Sequence, residues 1–190
     1  EKGDDVALVS DAGYPLISDP GYVLVNQVIE RGLNINTVSG PNACLNALVA
    51  SGLSVNHYMF YGFLNSKSSS ARKELEELKN FPYTIVFYEA PHRIKKTVEL
   101  VYEVFGERRA VIARELTKIH EEYIRGNLSE LKNVGDLRGE IVFLVEGYKH
   151  EEAHIGLETL KVEVQNLVDN GLKTKVAISE VASKYKVSKN

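Results

Sequence analysis

Val6-Ala7-Leu8-Val9-Ser10-Asp11-Ala12-Gly13-Tyr14-Pro15-Leu16-Ile17-Ser18-Asp19-Pro20-Gly21 is the stretch whose reading decides the fold class. Val6 to Val9 is an unbroken β-favouring run, the pattern of a strand buried on both faces. It ends in Ser10 to Pro15, a loop rich in residues that break regular structure. Ser18 or Asp19 then reads as a helix cap with Pro20 in the first turn, and Tyr22 to Glu30 is apolar at helical spacing up to Arg31-Gly32. The unit repeats: strand Ile35 to Val38, turn Ser39-Gly40-Pro41-Asn42, helix Ala43 to Ala50, stop at Ser51-Gly52. Strand–loop–helix twice over predicts an α/β fold with a parallel sheet in this part.

Further along, about 53 to 59 reads as a connector, and Tyr61-Gly62-Phe63-Leu64 starts a second unit. Lys67-Ser68-Ser69-Ser70-Ala71-Arg72-Lys73 reads as a basic, mobile loop before a helix Lys73 to Lys79. Strands are expected at Thr84–Tyr88, Ala110–Ala113, Tyr123–Arg125 and Ile141–Val145, with a helix His92–Phe105 opened by Pro91. Strands and helices no longer alternate strictly, which predicts a mixed sheet. From about Glu151 the chain turns helical, at Leu157–Asp169 and Lys175–Tyr185. The expected plan is 1–55 as the remainder of an N-terminal α/β domain, 56–148 as a mixed α/β domain, and 149–190 as a helical extension.

The length of 190 residues allows one sizeable domain or two small ones, and 44% hydrophobic with 26% charged residues is ordinary for a folded soluble protein. No apolar run reaches the roughly 18 residues of a membrane span. The polar, acidic start is unlike a signal peptide. One cysteine, Cys44, excludes an internal disulfide and a cysteine-ligated zinc site, and its apolar neighbours suit a small buried side chain. A formal charge of −3 argues against a generic nucleic-acid coat, so any RNA contact must come from local basic patches. The start lacks Met and lies close to a strong strand, which reads as a cut through a domain.

Four polar loops carry candidate chemistry. Asp11 to Gly21 follows a buried strand, where open α/β sheets bind ligands; it is equally compatible with a tight turn in which Asp11 and Ser18 satisfy local amides. Ser39 to Ala43 has the same position, with Asn42 explicable as a cap. Tyr88-Glu89-Ala90-Pro91-His92-Arg93 brings together a carboxylate, an imidazole and a guanidinium; an ordinary Glu89–Arg93 pair explains it as well. Arg114-Glu115-Leu116-Thr117-Lys118-Ile119-His120-Glu121-Glu122 is unusually polar for a strand end, though His120 also suits a surface position. No spacing matches a metal signature, a Walker or dinucleotide loop, or a nucleophile elbow.

These four segments, in this order and with Gly139-Glu140, resemble the tetrapyrrole-methylase superfamily, the class III S-adenosylmethionine methyltransferases. Within it they look like the RsmI family, the 2′-O-ribose methyltransferases of a cytidine in small-subunit ribosomal RNA. The resemblance implies a two-domain, cytoplasmic, homodimeric enzyme with S-adenosylmethionine in a cleft between domains. It implies that Asp11, Ala12, Gly13, Leu16, Ile17, Asn42 and Ala43 line the cofactor site, with Tyr88, Glu115 and Leu116 approaching from the second domain. The family's first strand and first glycine loop would precede Glu1, so the chain reads as an N-terminally truncated member. Tyr14 stands where the family usually has Thr, and Asn65-Ser66 where it has Pro-Arg.

Transfer of a methyl group to a ribose hydroxyl needs in-line positioning and help with proton loss. Glu115, Lys118 and His120 are the catalytic candidates, with Glu89 and His92 in reserve. Lys67, Arg72, Lys73 and Arg93 are the RNA-binding candidates, together with Lys95 and Lys96. The tail from Lys173 to Asn190 carries five Lys against one Glu, a net of +4, and resembles the start of a helix-turn-helix with Lys186-Val187-Ser188 as the turn; a packed helical pair explains it as well. Two other readings stand beside this one. A small-molecule methylase of the precorrin type would need no basic loop, and a non-catalytic nucleic-acid module would need no polar cleft.

Overall fold

The computed structural model describes residues 3, 5–149 and 157–185, and the chain divides into two compact units, Glu1–Tyr148 and Lys149–Asn190. The first unit is built on a five-stranded sheet in the order β1-β2-β5-β3-β4, comprising β1 (Tyr58–Phe63), β2 (Thr84–Glu89), β3 (Arg109–Arg114), β4 (Glu122–Asn127) and β5 (Ile141–Val145). Only β1 and β2 are parallel; β5 lies antiparallel between β2 and β3, and β4 is antiparallel to β3. The sheet is mixed, as its irregular strand–helix order predicts. Inserting β5 antiparallel leaves β2 and β3 pointing the same way, so the carboxyl ends of β1, β2 and β3 share one edge with the amino ends of β4 and β5. The loops 64–67, 90–93, 115–121 and 139–140 therefore crowd at that edge.

Alternation sorts the strand residues onto two faces. Ile85, Phe87, Ala110, Ile112, Phe143 and Val145 meet helices α3 (Ser68–Leu78), α4 (Ile94–Phe105) and α5 (Leu128–Leu131). Val86, Val111, Ala113, Val142 and Leu144 meet Cys44, Ala47 and Leu48 of α2 (Ala43–Ser51). Helix α4 buries Ile94, Val98, Val101 and Phe105, a stripe at helical spacing. Fully buried Phe87 and Phe143 stack at 6.2 Å between centroids, and burying each contributes roughly 1.5–3 kcal/mol before entropy. Asn42 caps α2, its Oδ1 accepting from the Leu45 amide at 3.0 Å, and Gly52 ends it at φ 78°.

Several expectations need correction. Val6–Val9 and Ile35–Val38 form no strand: among the described residues nothing pairs with them, and Val6, Val9 and Val38 are more than four-fifths exposed. Their composition favours a strand, but a ladder needs a neighbour to supply its hydrogen bonds. Helix α1 (Tyr22–Glu30) has the expected span, yet Gly21 is its cap; Asp19 instead accepts a hydrogen bond from the Ser10 hydroxyl. The basic stretch expected as a loop is helical from Ser68, because Asn65 Oδ1 accepts from the Lys67 amide at 3.0 Å and the Lys67 carbonyl accepts from Ser70 and Ala71. Strand β1 begins at Tyr58, inside the expected connector. Helix α4 begins at Ile94, since Pro91 to Arg93 close a turn on the Ala90 carbonyl.

The second unit contains α6 (Leu157–Asp169) and α7 (Thr174–Tyr185), close to the expected helices. Ala177, Val181 and Ala182 are buried, and Lys184 pairs with Glu163, so not all of the lysines face only water. The expected turn Lys186-Val187-Ser188 lies outside the described residues. No described helix is long and apolar enough to cross a membrane.

Candidate active site

The loop after β3 is two fused turns. The Lys118 amide donates to the Glu115 carbonyl, the Glu121 amide to the Lys118 carbonyl, and the Thr117 amide to Glu121 Oε2 at 2.6 Å. The folding back puts Glu115 at φ 50° and Thr117 at φ 65°, both in the left-handed region that side chains normally avoid. Such strain persists where surroundings over-determine the backbone, and it concentrates at functional sites.

The over-determining contacts come from the turn before β5. The Glu115 amide donates to the Glu140 carbonyl at 3.0 Å, and Glu115 Oε1 accepts from the Glu140 amide at 2.9 Å and from Lys118 Nζ at 3.0 Å. Lys118 Nζ also reaches Glu140 Oε2 at 3.1 Å. Gly139, at φ 88°, makes this possible: a Cβ there would lie 2.2 Å from Glu115 Oε1. The Glu140 amide, then Lys118, hold the Glu115 carboxyl below its ordinary range, while Glu115 and Glu140 raise the Lys118 ammonium. Both groups are charged at neutral pH; the ammonium has no lone pair to accept a proton, and the lowered Glu115 carboxylate is a weaker acceptor than a free one. His120 is exposed in the same loop.

Tyr88, at the end of β2, is half-buried and packs edge-on against Phe60 at 4.8 Å and Phe63 at 5.8 Å. Burial raises its phenol above the ordinary range, and its hydroxyl lies beside the Cys44 backbone at the start of α2. Leu116 packs against the same apolar cluster as Tyr88, the one that includes Cys44, Ala47 and Leu48 of α2. The first loop meets the second. The Gly40 amide donates to the Tyr14 hydroxyl at 3.0 Å, and Gly13 lies against the Pro41 carbonyl. Gly62 of β1 faces Ser18 Oγ. Asp11, Ala12 and Ile17 are exposed, and Leu16 and Ser18 adopt φ of 73° and 60°. The first and second loops singled out from sequence are thus neighbours, Tyr88 of the third reaches the start of α2, and Leu116 of the fourth packs on the same apolar cluster as Tyr88.

The remaining candidates are spread out. Glu89 is buried, its carboxylate held by the Ala90 amide at 2.8 Å, Thr97 Oγ1 at 2.6 Å and Arg93 Nε at 3.3 Å. His92 is exposed beyond it. Arg72 pairs with Glu103 of α4. Arg72 and Lys73 border a cavity of about 580 Å³ between α3 and α4, where Glu76 and Glu77 offset their charge. Lys67 is exposed at the start of α3. No described cluster of His, Cys, Asp or Glu could hold a metal ion. Reading by residue type found Glu115 and Lys118 but missed what Gly139 does; a glycine directly before an acid at a strand start was its only signal.

Residues 1–132 match the family model described as Tetrapyrrole (Corrin/Porphyrin) Methylases. The chain belongs to that family. It is 42% identical to ribosomal RNA small subunit methyltransferase I of Bacillus subtilis, the match covering 100% of this chain and 68% of that protein. The protein of the same name from Mycobacterium tuberculosis is 41% identical, covering 97% and 65%. Among solved structures, the methyltransferase CobJ superposes with a TM-score of 0.55 at 19% identity, covering 71% of this chain and 62% of CobJ. Uroporphyrin-III C-methyl transferase from Thermus thermophilus, complexed with S-adenyl homocysteine, gives 0.51 at 15%, covering 70% and 62%. The chain thus spans about two thirds of these relatives' lengths.

Proposed function

We propose that the chain carries the loops of an S-adenosylmethionine-dependent methyltransferase acting on the 2′-oxygen of a cytidine ribose in small-subunit ribosomal RNA. The observation carrying this reading is that the first and second polar loops meet before α2, while Tyr88 and Leu116 of the third and fourth pack on the apolar cluster that includes Cys44 of α2. The names of the relatives supply the substrate class. Cytoplasmic location, a homodimeric enzyme and a division at about residue 55 between an N-terminal α/β domain and a mixed α/β domain, with the cofactor between them, belong to the same proposal.

The residues present fit the cofactor. Tyr88, Leu116 and Phe63 give an apolar and aromatic wall, Asp11 and Asn42 a polar rim, and the glycines at 13 and 62 allow close approach. Asp11, Ala12, Gly13, Leu16, Ile17, Asn42, Ala43, Tyr88, Glu115 and Leu116 are the proposed cofactor-binding set. S-adenosylmethionine, when bound, supplies a methyl group activated by its sulfonium. Lys118 keeps its positive charge and lowers the cost of a developing oxyanion on the ribose. Glu115 fixes Lys118 in place, and His120, exposed in the same loop, receives the hydroxyl proton. Lys67 and Lys73 are the proposed RNA contacts, with Arg72 available once its pair with Glu103 opens.

The test is calorimetry with S-adenosylmethionine followed by a methyl-transfer assay on small ribosomal subunits, with a tetrapyrrole arm beside it. Cofactor binding that is weakened by Asp11→Ala, and RNA methylation lost with Lys118→Ala, are expected. Methylation of the tetrapyrrole alone, or full turnover in the Lys118 variant, would overturn the reading.

A further inference from the structure

We infer that Arg93 serves RNA binding by clamping the loop that presents Lys67, and is a positioning residue that touches no phosphate itself. This rests on the RNA-methyltransferase reading. The guanidinium is already committed. Its Nε faces Glu89 Oε1 at 3.3 Å, and its Nη2 donates to the carbonyls of Leu64 and Asn65, both at 3.1 Å. Each edge on which arginine grips a phosphate bidentately includes Nη2, and both Nη2 hydrogens are used here. The partner that fixes the arginine is itself fixed. The Glu89 side chain is 1% exposed and bound by Ala90 and Thr97 as well, so it cannot swing out to release Arg93 without leaving a buried charge unpaired.

The loop is held from its other side too. The Asn65 amide donates to Glu74 Oε2 at 3.1 Å, and Asn65 Oδ1 accepts from the Lys67 amide. Tyr61 shares the Glu74 carboxylate, and burial, then that carboxylate, raises its phenol above the ordinary range. Loop 64–67 is therefore suspended between Arg93 of the β2–α4 connection and Glu74 of α3. Its inward carbonyls face the sheet end, and the Ser66 and Lys67 side chains are exposed. Glu89 sits one residue beyond Tyr88, so the clamp ties the orientation of Lys67 to the strand end that borders the proposed site.

The two roles for Arg93 separate by salt dependence and by coupling. A direct phosphate contact contributes about one unit to the slope of log affinity against log salt and survives partly in Arg93→Lys. A clamp leaves the slope unchanged when Lys67 is absent and is not rescued by lysine, whose ammonium cannot span a carboxylate and two carbonyls. Binding of the full chain to small-subunit ribosomal RNA is measured at several salt concentrations for wild type, Arg93→Lys, Lys67→Ala and the double variant. Hydrogen exchange of the RNA-free proteins is followed in parallel. The expected result is that Arg93→Lys weakens binding by the same factor as Lys67→Ala, and that the double variant equals Lys67→Ala alone. Amides 65–67 should exchange faster in Arg93→Lys while β2 and β5 keep wild-type protection. Multiplying effects with a further fall in slope, or unchanged exchange at 65–67, overturns the clamp. Wild-type protein that binds no RNA removes the underlying reading instead, and the exchange data identify that case because they need no RNA.

Discussion

Replacing Thr97 by valine tests whether the buried Glu89 carboxylate depends on a single hydroxyl. Thr97 is 6% exposed, and its Oγ1 donates to Glu89 Oε2 at 2.6 Å. The other carboxylate oxygen accepts from the Ala90 amide and is ion-paired with Arg93, but neither is bonded to Oε2. Valine keeps the shape and the packing against the helix and removes only the donor. A hydrogen bond to a charged group contributes about 1.5–3 kcal/mol, and leaving its partner buried costs that amount in full. We therefore expect a loss of about 2 kcal/mol, a fall in Tm of about 4–8 °C for a chain of this size. Thr97→Ser keeps the hydroxyl and deletes one methyl group, at a cost of about 1 kcal/mol. Urea unfolding of the three proteins at neutral pH, with equal slopes, gives the comparison. If valine is no more destabilising than serine, Oε2 is satisfied from elsewhere and the account of the network is wrong.

Gly139→Ala should lower the urea midpoint for two reasons, its left-handed φ of 88° and a Cβ that would land on the Glu115 carboxylate; Glu115→Ala in the same chain should relieve only the second part, and equal losses in both backgrounds would refute the contact. Stability should fall in acid through the same group. The folded Glu115 carboxyl lies below its unfolded value, so its contribution is present above that unfolded value, about 4.3, and is lost as pH falls through the folded one. Glu115→Gln should flatten that limb of the stability curve. The Lys118 contribution runs the other way, present below its unfolded value and lost as pH rises through the raised folded one. Burial pushes the Cys44 thiol up to about 11, so it should resist alkylation at pH 8 in the folded chain and react at once in denaturant; fast labelling of folded protein would contradict its burial.

How far the sequence could be read follows from which interactions are local. The spans of α1 and α6, the run Ile141–Val145 and the Asn42 cap were legible because spacing, an unbroken apolar run and a capping side chain act within a few residues. Val6–Val9 has the same composition as Ile141–Val145, yet only the latter lies between two strands; pairing is settled by partners remote in sequence. The Ser68–Ser70 run looked like a loop because serine is a weak helix former, and the Asn65 turn that starts α3 is visible only once the Lys67 amide is seen to bond to it.

The candidate site divides along the same line. Residue types at strand ends singled out Tyr88, Glu115 and Lys118, but their working states come from contacts that no local pattern records. Glu115 and Gly139 are far apart in the chain and meet only because β5 slots between β2 and β3, which brings the turn before β5 beside the loop after β3. That meeting fixes a strained backbone and places a carboxylate against an ammonium. Glu89 and Arg93, by contrast, are four residues apart, and their pairing was readable as one of two alternatives. The pair forms, and the guanidinium also bonds the carbonyls of Leu64 and Asn65, delivered by the parallel neighbour β1. In both cases the strand order determines the chemistry of residues whose identity the sequence already displays. A variant that shifts the β5 register should therefore alter the Glu115 and Lys118 titrations without touching either residue.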